Sequence, residues 1–382
     1  MKTPQKRLRI LFFTTWYPTL TDPVAGIFVH ELCKSLSDDH DIKVIVLTID
    51  ESLRPSQIRI VEEVFDGLSV LRLTQGKGTF PKLRFINRLF SQVWILKKMI
   101  AEFKPDIVHA TTYPAAIPAI IACKESFTPV IVTEHYSGFY RGMVTGVEKL
   151  KARWALGHAD LVIPISNYMA TLLKSHGIKA RYKTVPIGID VSLFHPSINP
   201  HMPNLPIEGI MVGTLTPIKG YTYLLDALAI LKKRGVKVLI HVAGDGHERA
   251  MLEKKASDLG IQDMVKFHGV LRKPDLANLM QTVDFGVTSS LGETFGVAIA
   301  EGLAVGLPTV ATNVGAIPEL IGESRGVLVK AADGEALAEG VIQLIQSIDR
   351  FDREAIAGWV AGRMAHEAVA DQFVKICRDL TD

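Results

Sequence analysis

The sequence predicts an α/β protein made of two doubly wound domains facing across a cleft. Three observations lead there. Short β-branched runs alternate along the whole chain with amphipathic stretches of ten or more residues, the pattern of βαβ units and parallel sheets. The alternation comes in two series, and 382 residues are too many for one ordinary domain and right for two of middling size. Between the series, residues 186–206 carry five prolines, the composition of a linker.

In the first series the expected strands are residues 8–14, 42–47, 69–73, 106–110, 129–133, 161–163 and 182–185. Helical patterns separate them at 27–36, 83–103 and 167–175. The second series places strands at 209–212, 238–242, 265–268, 285–288, 309–311 and 327–329. A last helix near 360–380 is expected to return to the first domain. The division that follows is 1–186, a linker at 187–206, a second domain at 207–359 and the returning helix at 360–382. No low-complexity tract or tandem repeat interrupts it. Ligands of open α/β sheets sit at the carboxyl ends of strands, so functional motifs should follow strands directly.

Composition excludes several classes. Apolar residues are 48% and charged residues 22%, a soluble globular balance, and mean hydropathy is only +0.22. The richest apolar stretch, 107–123, is broken by His109, Pro114 and Pro118, so no transmembrane span is expected. The basic start, MKTPQKRLRILFFTT, lacks a small-residue cleavage site and reads as a first strand. Three scattered cysteines, Cys33, Cys123 and Cys377, form neither a disulfide framework nor a zinc pattern, which points to the cytoplasm. Residues 1–200 hold 25 basic against 17 acidic side chains, whereas residues 201–382 hold 18 against 23. An anionic partner is therefore expected for the first half alone, and with no stacking or recognition motif nucleic acid is not expected.

The strongest motif runs from Ser289 to Gly302 as SSLGETFGVAIAEG. A strand ends at Thr288, a glycine-bearing turn follows, and a helix begins near Gly296. Unpaired N–H groups and the positive end of the dipole suit that helix start to a phosphate. Glu293 precedes the helix and Glu301 lies within it, where rigid carboxylates could accept sugar hydroxyls. Either glutamate alone would read as an ordinary dipole partner or solvated helix residue. Their eight-residue spacing around a glycine turn favours function.

The pattern Glu-Thr-Phe-Gly-x4-Glu-Gly-x3-Gly-x-Pro resembles the signature of family-4 retaining glycosyltransferases of the GT-B fold, two Rossmann-like domains about a cleft. The resemblance extends to Gly213-Thr214-Leu215-Thr216-Pro217-Ile218-Lys219-Gly220, to Ala243-Gly244-Asp245-Gly246, to Phe267-His268-Gly269, to 313–319 and to Gly188-Ile189-Asp190. It covers the second half almost throughout and the first half more loosely. It implies that the first domain binds the acceptor and the second a nucleotide-diphosphate sugar. By the same resemblance Lys219 would bind the diphosphate, Glu293 the donor sugar and Glu301 the ribose. Thr294, Phe295, Gly296, Val297 and Ala298 would form the phosphate turn, with Gly213 in the glycine loop before Lys219. Gly269 and Val270 would lie near the base. From the residues alone, Gly26 opens the first helix, where a backbone could approach a phosphate or the acceptor closely. Thr214 departs from the family, in which an arginine often stands five residues before the lysine. His135, in Thr133-Glu134-His135 at a strand end, resembles the family's cleft histidine and joins Glu293 as a catalytic candidate; a buried structural histidine is the competing reading.

Two further motifs lie outside this pattern. Asp39-His40-Asp41 spells a D-x-D but falls between the first helix and second strand, away from the cleft, and reads as a polar turn. No other cluster has ligand spacing, so no metal or other cofactor is expected. Residues 80–103 interleave Phe80, Phe85, Leu89, Phe90 and Trp94 with Lys82, Arg84, Arg88, Lys97 and Lys98. That is either an ordinary sheet-covering helix or one that also lies on an anionic bilayer. The implied reaction is retaining transfer of a sugar to a hydroxyl on a sugar or lipid-linked acceptor, by front-face substitution, in envelope polysaccharide or glycolipid synthesis. A GT-B-type epimerase or phosphorylase, or a non-catalytic nucleotide-binding protein, are the alternatives.

Overall fold

The computed structural model describes residues 6–19, 22, 25–50, 53, 57–76, 81–197 and 206–381, without the side chains of 49–50 and 81–85. Phe80, the linker stretch 198–205 and the side chains of Lys82, Arg84 and Phe85 thus lie outside the described residues. The chain divides into two units, residues 1–188 with 369–382, and residues 189–368.

The first unit runs β1 (Arg9–Thr14), α1 (Ile27–Ser37), β2 (Asp41–Asp50), β3 (Ile58–Phe65), β4 (Leu68–Gly76), α2 (Pro81–Phe103), β5 (Ile107–Thr111), α3 (Thr112–Cys123), β6 (Val130–Glu134), α4 (Gly146–His158), β7 (Leu161–Pro164) and α5 (Asn167–Ser175). Its sheet is ordered β3-β4-β2-β1-β5-β6-β7 and is parallel except for the β3–β4 hairpin. β1 shows why these strands are continuously apolar. Leu11 and Phe13 enter the core under α2, α3 and α4, while Ile10 and Phe12 enter the opposite core with Val29 and Cys33 of α1. Both faces are covered, so alternation would leave polar groups buried.

The second unit contains β8 (Ile207–Val212), α6 (Tyr221–Lys233), β9 (Val238–Ala243), α7 (Arg249–Asp258), β10 (Val265–Gly269), α8 (Lys273–Thr282), β11 (Phe285–Thr288), α9 (Val297–Ala304), β12 (Thr309–Thr312), α10 (Ile317–Leu320), β13 (Gly326–Val329), α11 (Gly334–Gln346) and α12 (Arg353–Met364). Its all-parallel sheet is ordered β10-β9-β8-β11-β12-β13. The order reverses between β1 and β5 in one sheet and between β8 and β11 in the other. At such a reversal the flanking loops turn to opposite sides and leave a crevice at the carboxyl ends. Thr14 and Thr111 border the first crevice; Val212 and Thr288 border the second.

Three expectations change. Residues 58–65 form an unforeseen antiparallel edge strand, turned by Asp66 and Gly67, both at positive φ (47° and 81°) as a tight hairpin requires. Residues 182–185 form no strand; Tyr182 makes one isolated bridge to Val162. The single helix expected near 360–380 is two, α12 and α13 (His366–Thr381), broken where Ala365 becomes extended (φ −53°, ψ 146°). Val369, Phe373, Ile376 and Cys377 of α13 are buried in the first unit's core beside Phe12.

Candidate active site

In the second unit, the loop after β8 meets the loop after β11. Pro217–Lys219 make one 3₁₀ turn, closed by Gly220 at φ 67°. A Cβ on Gly220 would lie 2.1 Å from the Ser289 carbonyl oxygen, so only glycine permits this approach. The Ser289 hydroxyl donates to the carbonyls of Gly220 (2.9 Å) and Lys219 (3.2 Å), and the Leu291 N–H donates to Ile218 O (2.8 Å). So stapled, the loops bring Lys219 Nζ to 2.5 Å from Glu293 Oε2. The other carboxylate oxygen, Oε1, accepts from the Thr294 N–H (3.2 Å).

Glu293 is backed by a third loop. The Ala316 N–H donates to its carbonyl (2.9 Å), and a Cβ on Gly315 would stand 2.0 Å from that oxygen. Gly296, at φ 101°, opens α9 with no side-chain cap. Val297 is partly exposed and Phe295 buried, so the turn is anchored in the core while its helix start faces outward. Glu301, one turn further along α9, is half-buried. Burial pushes its carboxyl up to about 7, against the opposing charge of Lys273. Among the described residues no hydrogen bond reaches that carboxylate.

Gly213 leaves β8 at φ 154°, its carbonyl held by the hydroxyl of buried Tyr221 (2.8 Å). Thr214 is exposed and supplies no cation. Gly269 ends β10 with φ 73°, its carbonyl accepting from the Gly244 N–H (2.8 Å), and Val270 beyond it is exposed. Arg249, at the start of α7, comes close to Gly269 while paired with Asp245 and Glu253.

In the first unit, Gly26 opens α1 at φ 61°, and a Cβ there would lie 2.3 Å from Trp16 O. Trp16 is exposed and stacks parallel to His135 at 6.4 Å between centroids, while Phe28 meets the imidazole edge-on at 4.7 Å. Burial pushes His135 down to about 4, so its ring stays neutral over the working pH range, and its buried Nδ1 has no hydrogen-bond partner. The preceding Glu134 accepts from the N–H groups of Tyr113 (2.9 Å), His135 (3.0 Å) and Tyr136 (2.9 Å). It thereby ties the end of β6 to Tyr113, which follows Thr112, a β-branched residue held at φ 66° just past β5.

Two family models match the chain: "Glycosyltransferase Family 4" over residues 25–193 and "Glycosyl transferases group 1" over residues 203–356. The chain belongs to glycosyltransferase family 4. Glycogen synthase of Mycobacterium tuberculosis is 26% identical over 371 residues, covering 92% of this chain and 89% of that protein. The putative teichuronic acid biosynthesis glycosyltransferase TuaC of Bacillus subtilis is 25% identical over 391 residues, covering 96% of this chain and 95% of that protein. Anabaena HepE, solved in complex with UDP, superimposes with a TM-score of 0.74 at 19% identity, covering 97% of this chain and 100% of that one. The fold is GT-B, and the enzyme is a hexosyltransferase-type glycosyltransferase that uses a nucleotide sugar.

Within this glycosyltransferase, Gly213, Lys219, Gly220, Glu293 and Gly296 gather around the second switch point, and Gly26 and His135 around the first. His109, within β5, is a core residue. It is 1% exposed, packed edge-on against Phe12 and Phe373, and bonded to Thr133 Oγ1 (2.7 Å). Asp39-His40-Asp41 forms the α1–β2 turn, with His40 Nδ1 accepting from the Leu8 N–H and Arg7 bonded to Asp41 and to the His40 carbonyl. Among the described residues no cluster of His, Cys, Asp and Glu could hold a metal, and no helix is long and apolar enough to cross a membrane. Sequence reasoning missed Ser289, Tyr221, Trp16 and Glu134. Ser289, Trp16 and Glu134 act through contacts with segments distant in sequence, and Tyr221 through a hydroxyl eight residues from the carbonyl it holds; only the positions after strands were a signal.

Proposed function

We propose that the glycosyltransferase retains the anomeric configuration and transfers its sugar without a metal, in the synthesis of an envelope polysaccharide or glycolipid. The observation that carries this reading is the Lys219–Glu293 pair, rigidly stapled at a switch point beside the uncapped start of α9. Lys219 has three N–H donors, of which Glu293 takes one, so the others can meet a diphosphate. Gly296, Val297 and Ala298 would offer backbone N–H groups to the same phosphates, with Thr294 and Phe295 shaping the turn. Glu301 would accept the ribose hydroxyls, and Gly269 and Val270 would border the base. Without an arginine at 214, Lys219 carries more of the diphosphate charge.

The reaction is a front-face substitution. The bond from the anomeric carbon to the distal phosphate oxygen breaks, and the acceptor oxygen bonds to that carbon on the same face. The acceptor proton passes to the departing phosphate oxygen, releasing a nucleoside diphosphate. Lys219 and the α9 N–H groups stabilise the charge growing on that phosphate. Glu293 holds the sugar, and His135 is the first unit's catalytic candidate, a neutral imidazole able to donate a hydrogen bond to a hydroxyl.

The UDP complex of HepE makes UDP-sugars the first donors to try, and the likeness to TuaC supports an envelope acceptor. The basic helix α2 and the excess positive charge of residues 1–200 support peripheral contact with an anionic membrane. Incubation with UDP-, GDP- and ADP-sugars tests the donor reading. Slow release of one nucleoside diphosphate without acceptor supports it, and no turnover of any donor contradicts it.

A further inference from the structure

Two helices of the first unit carry large apolar side chains on their surface in regular lines, and the edge strand β3 exposes Ile58, Ile60 and Val64 as well. On α2, Ile86, Phe90 and Trp94 recur every fourth residue, with Phe90 72% and Trp94 59% exposed. On α4, Val147, Leu150 and Trp154 recur at three and four, with Leu150 62% exposed, and exposed Met143 stands just ahead of them. Residues so spaced share one helix face. The opposite faces, Leu96 and Met99 of α2 and Ala152 and Leu156 of α4, are buried in the core. Since α3 packs against both helices, the three form one layer. Among the described residues of the second unit the exposed large apolar side chains, such as Met251, Val270 and Leu328, form no such line within a helix.

The charge around the two lines is positive. Among the described side chains, α2 carries Arg88, Lys97 and Lys98 against Glu102, with Lys97 paired to Glu125, and α4 carries Lys149, Lys151 and Arg153 against Glu148. Lysine is depleted at protein–protein interfaces, whereas tryptophan and phenylalanine flanked by lysine and arginine mark helices lying in a lipid interface. All three helices also line a cavity of about 500 Å³ at the carboxyl ends of the strands. Arg88 and Gln92 come from α2, Tyr113 from α3, and Glu148 and Lys151 from α4. Glu148 accepts from the Tyr113 hydroxyl (2.9 Å) and from Lys151 (2.8 Å), which fixes a polar wall with an excess of cationic groups.

We propose that the outer faces of α2 and α4 together dock on an anionic lipid bilayer, and that this cavity receives the polar head of a membrane-borne acceptor. The proposal rests on the reading of the first unit as the acceptor side. It names the acceptor's class: a lipid-anchored, negatively charged, hydroxyl-bearing head. The bilayer would take the two aromatic-bearing lines, and the basic residues its surface charge.

The test uses the full chain and vesicles of phosphatidylglycerol with phosphatidylcholine, against phosphatidylcholine alone, at low and high salt. The wild type should sediment with the anionic vesicles at low salt and be largely released at high salt. Phe90→Gln with Trp94→Gln, and separately Leu150→Gln with Trp154→Gln, should each weaken binding at least tenfold with unchanged melting temperatures. Wild-type binding by the Leu150/Trp154 variant would overturn the two-helix surface. So would equal binding to neutral vesicles, or a lipid-free dimer that the same substitutions dissociate. With vesicles of total bacterial polar lipid and labelled donor, label should enter the lipid, and Lys151→Gln should lower that labelling at least tenfold. Undiminished labelling in Lys151→Gln overturns the cavity assignment. Wild-type donor hydrolysis with no lipid labelled overturns the membrane-borne acceptor and leaves the transferase reading standing, whereas loss of donor hydrolysis itself would bring down that reading.

Discussion

Lys219 and Glu293 lie 74 positions apart in the chain and meet at 2.5 Å. The relationship follows from topology. Their loops leave neighbouring strands β8 and β11 at the point where the sheet order reverses, and Gly220 lets the loops touch backbone to backbone. The charge pair is therefore held by the fold before a donor arrives, as electrostatic stabilisation of a leaving group requires.

Removing either partner should act on turnover. Lys219→Ala and Glu293→Ala are each expected to lower kcat by about 100-fold or more, the scale for a placed electrostatic partner. The pair is partly solvated, so the melting temperature should move little. Steady-state kinetics beside a thermal melt separates the two effects, and near-normal turnover would make the residue structural.

Gly220→Ala tests the staple rather than the charges. The change puts a side chain at φ 67° and a Cβ 2.1 Å from a backbone oxygen, which loops can relieve only by parting. A cost of about 2 kcal/mol or more is expected from strain and displacement together. It should appear as a lower melting transition accompanied by loss of turnover with Lys219 still present. An unchanged melt with normal kcat would show that the loops need not touch.

Glu301 is expected to make donor binding pH-dependent. Its carboxyl is raised to about 7 by burial, so below that pH it is mostly protonated and a weaker acceptor for hydroxyls. Donor KM should fall as pH rises from 6 to 8, and Glu301→Gln should flatten the profile. The same raised pKa disfavours the ionised fold, so this group's contribution to stability declines as pH rises from the usual glutamate range through 7. Kinetics of the variant with an unaltered KM profile would assign the pH dependence elsewhere.

His135 is lowered to about 4, so no loss of activity between pH 8 and 5 should trace to its protonation. His135→Ala should nonetheless reduce kcat by about 100-fold, the lower end for loss of a positioned polar group. A variant with wild-type kcat would leave His135 as a stacking partner of Trp16.

Metal independence is checked by assay in excess EDTA. Full activity is expected. Complete loss, restored by Mn²⁺ alone, would sink the metal-free mechanism.

Much of this architecture was legible because it depends on local pattern. Strands such as β1 are covered on both faces and so read as unbroken apolar runs, and the site glycines fall where strands end. β3 was not legible, since residues 58–65 are mostly exposed and carry no core pattern; only the Asp66-Gly67 turn hinted at it. The break at Ala365 has no proline or glycine to announce it. Glu293 and Lys219 stood out through neighbouring glycines, but Ser289 and Trp16 act through loops distant in sequence. The apolar line on α4 escaped notice because exposure is set by what packs against a helix, not by the helix itself.

The most direct measurement follows a UDP-, GDP- or ADP-sugar by proton NMR with wild type and Lys219→Ala. The account predicts that the wild type releases one nucleoside diphosphate and yields product with the donor's anomeric configuration in EDTA, and that Lys219→Ala slows this at least ~100-fold. Product of inverted configuration, or equal rates for the two proteins, would contradict it.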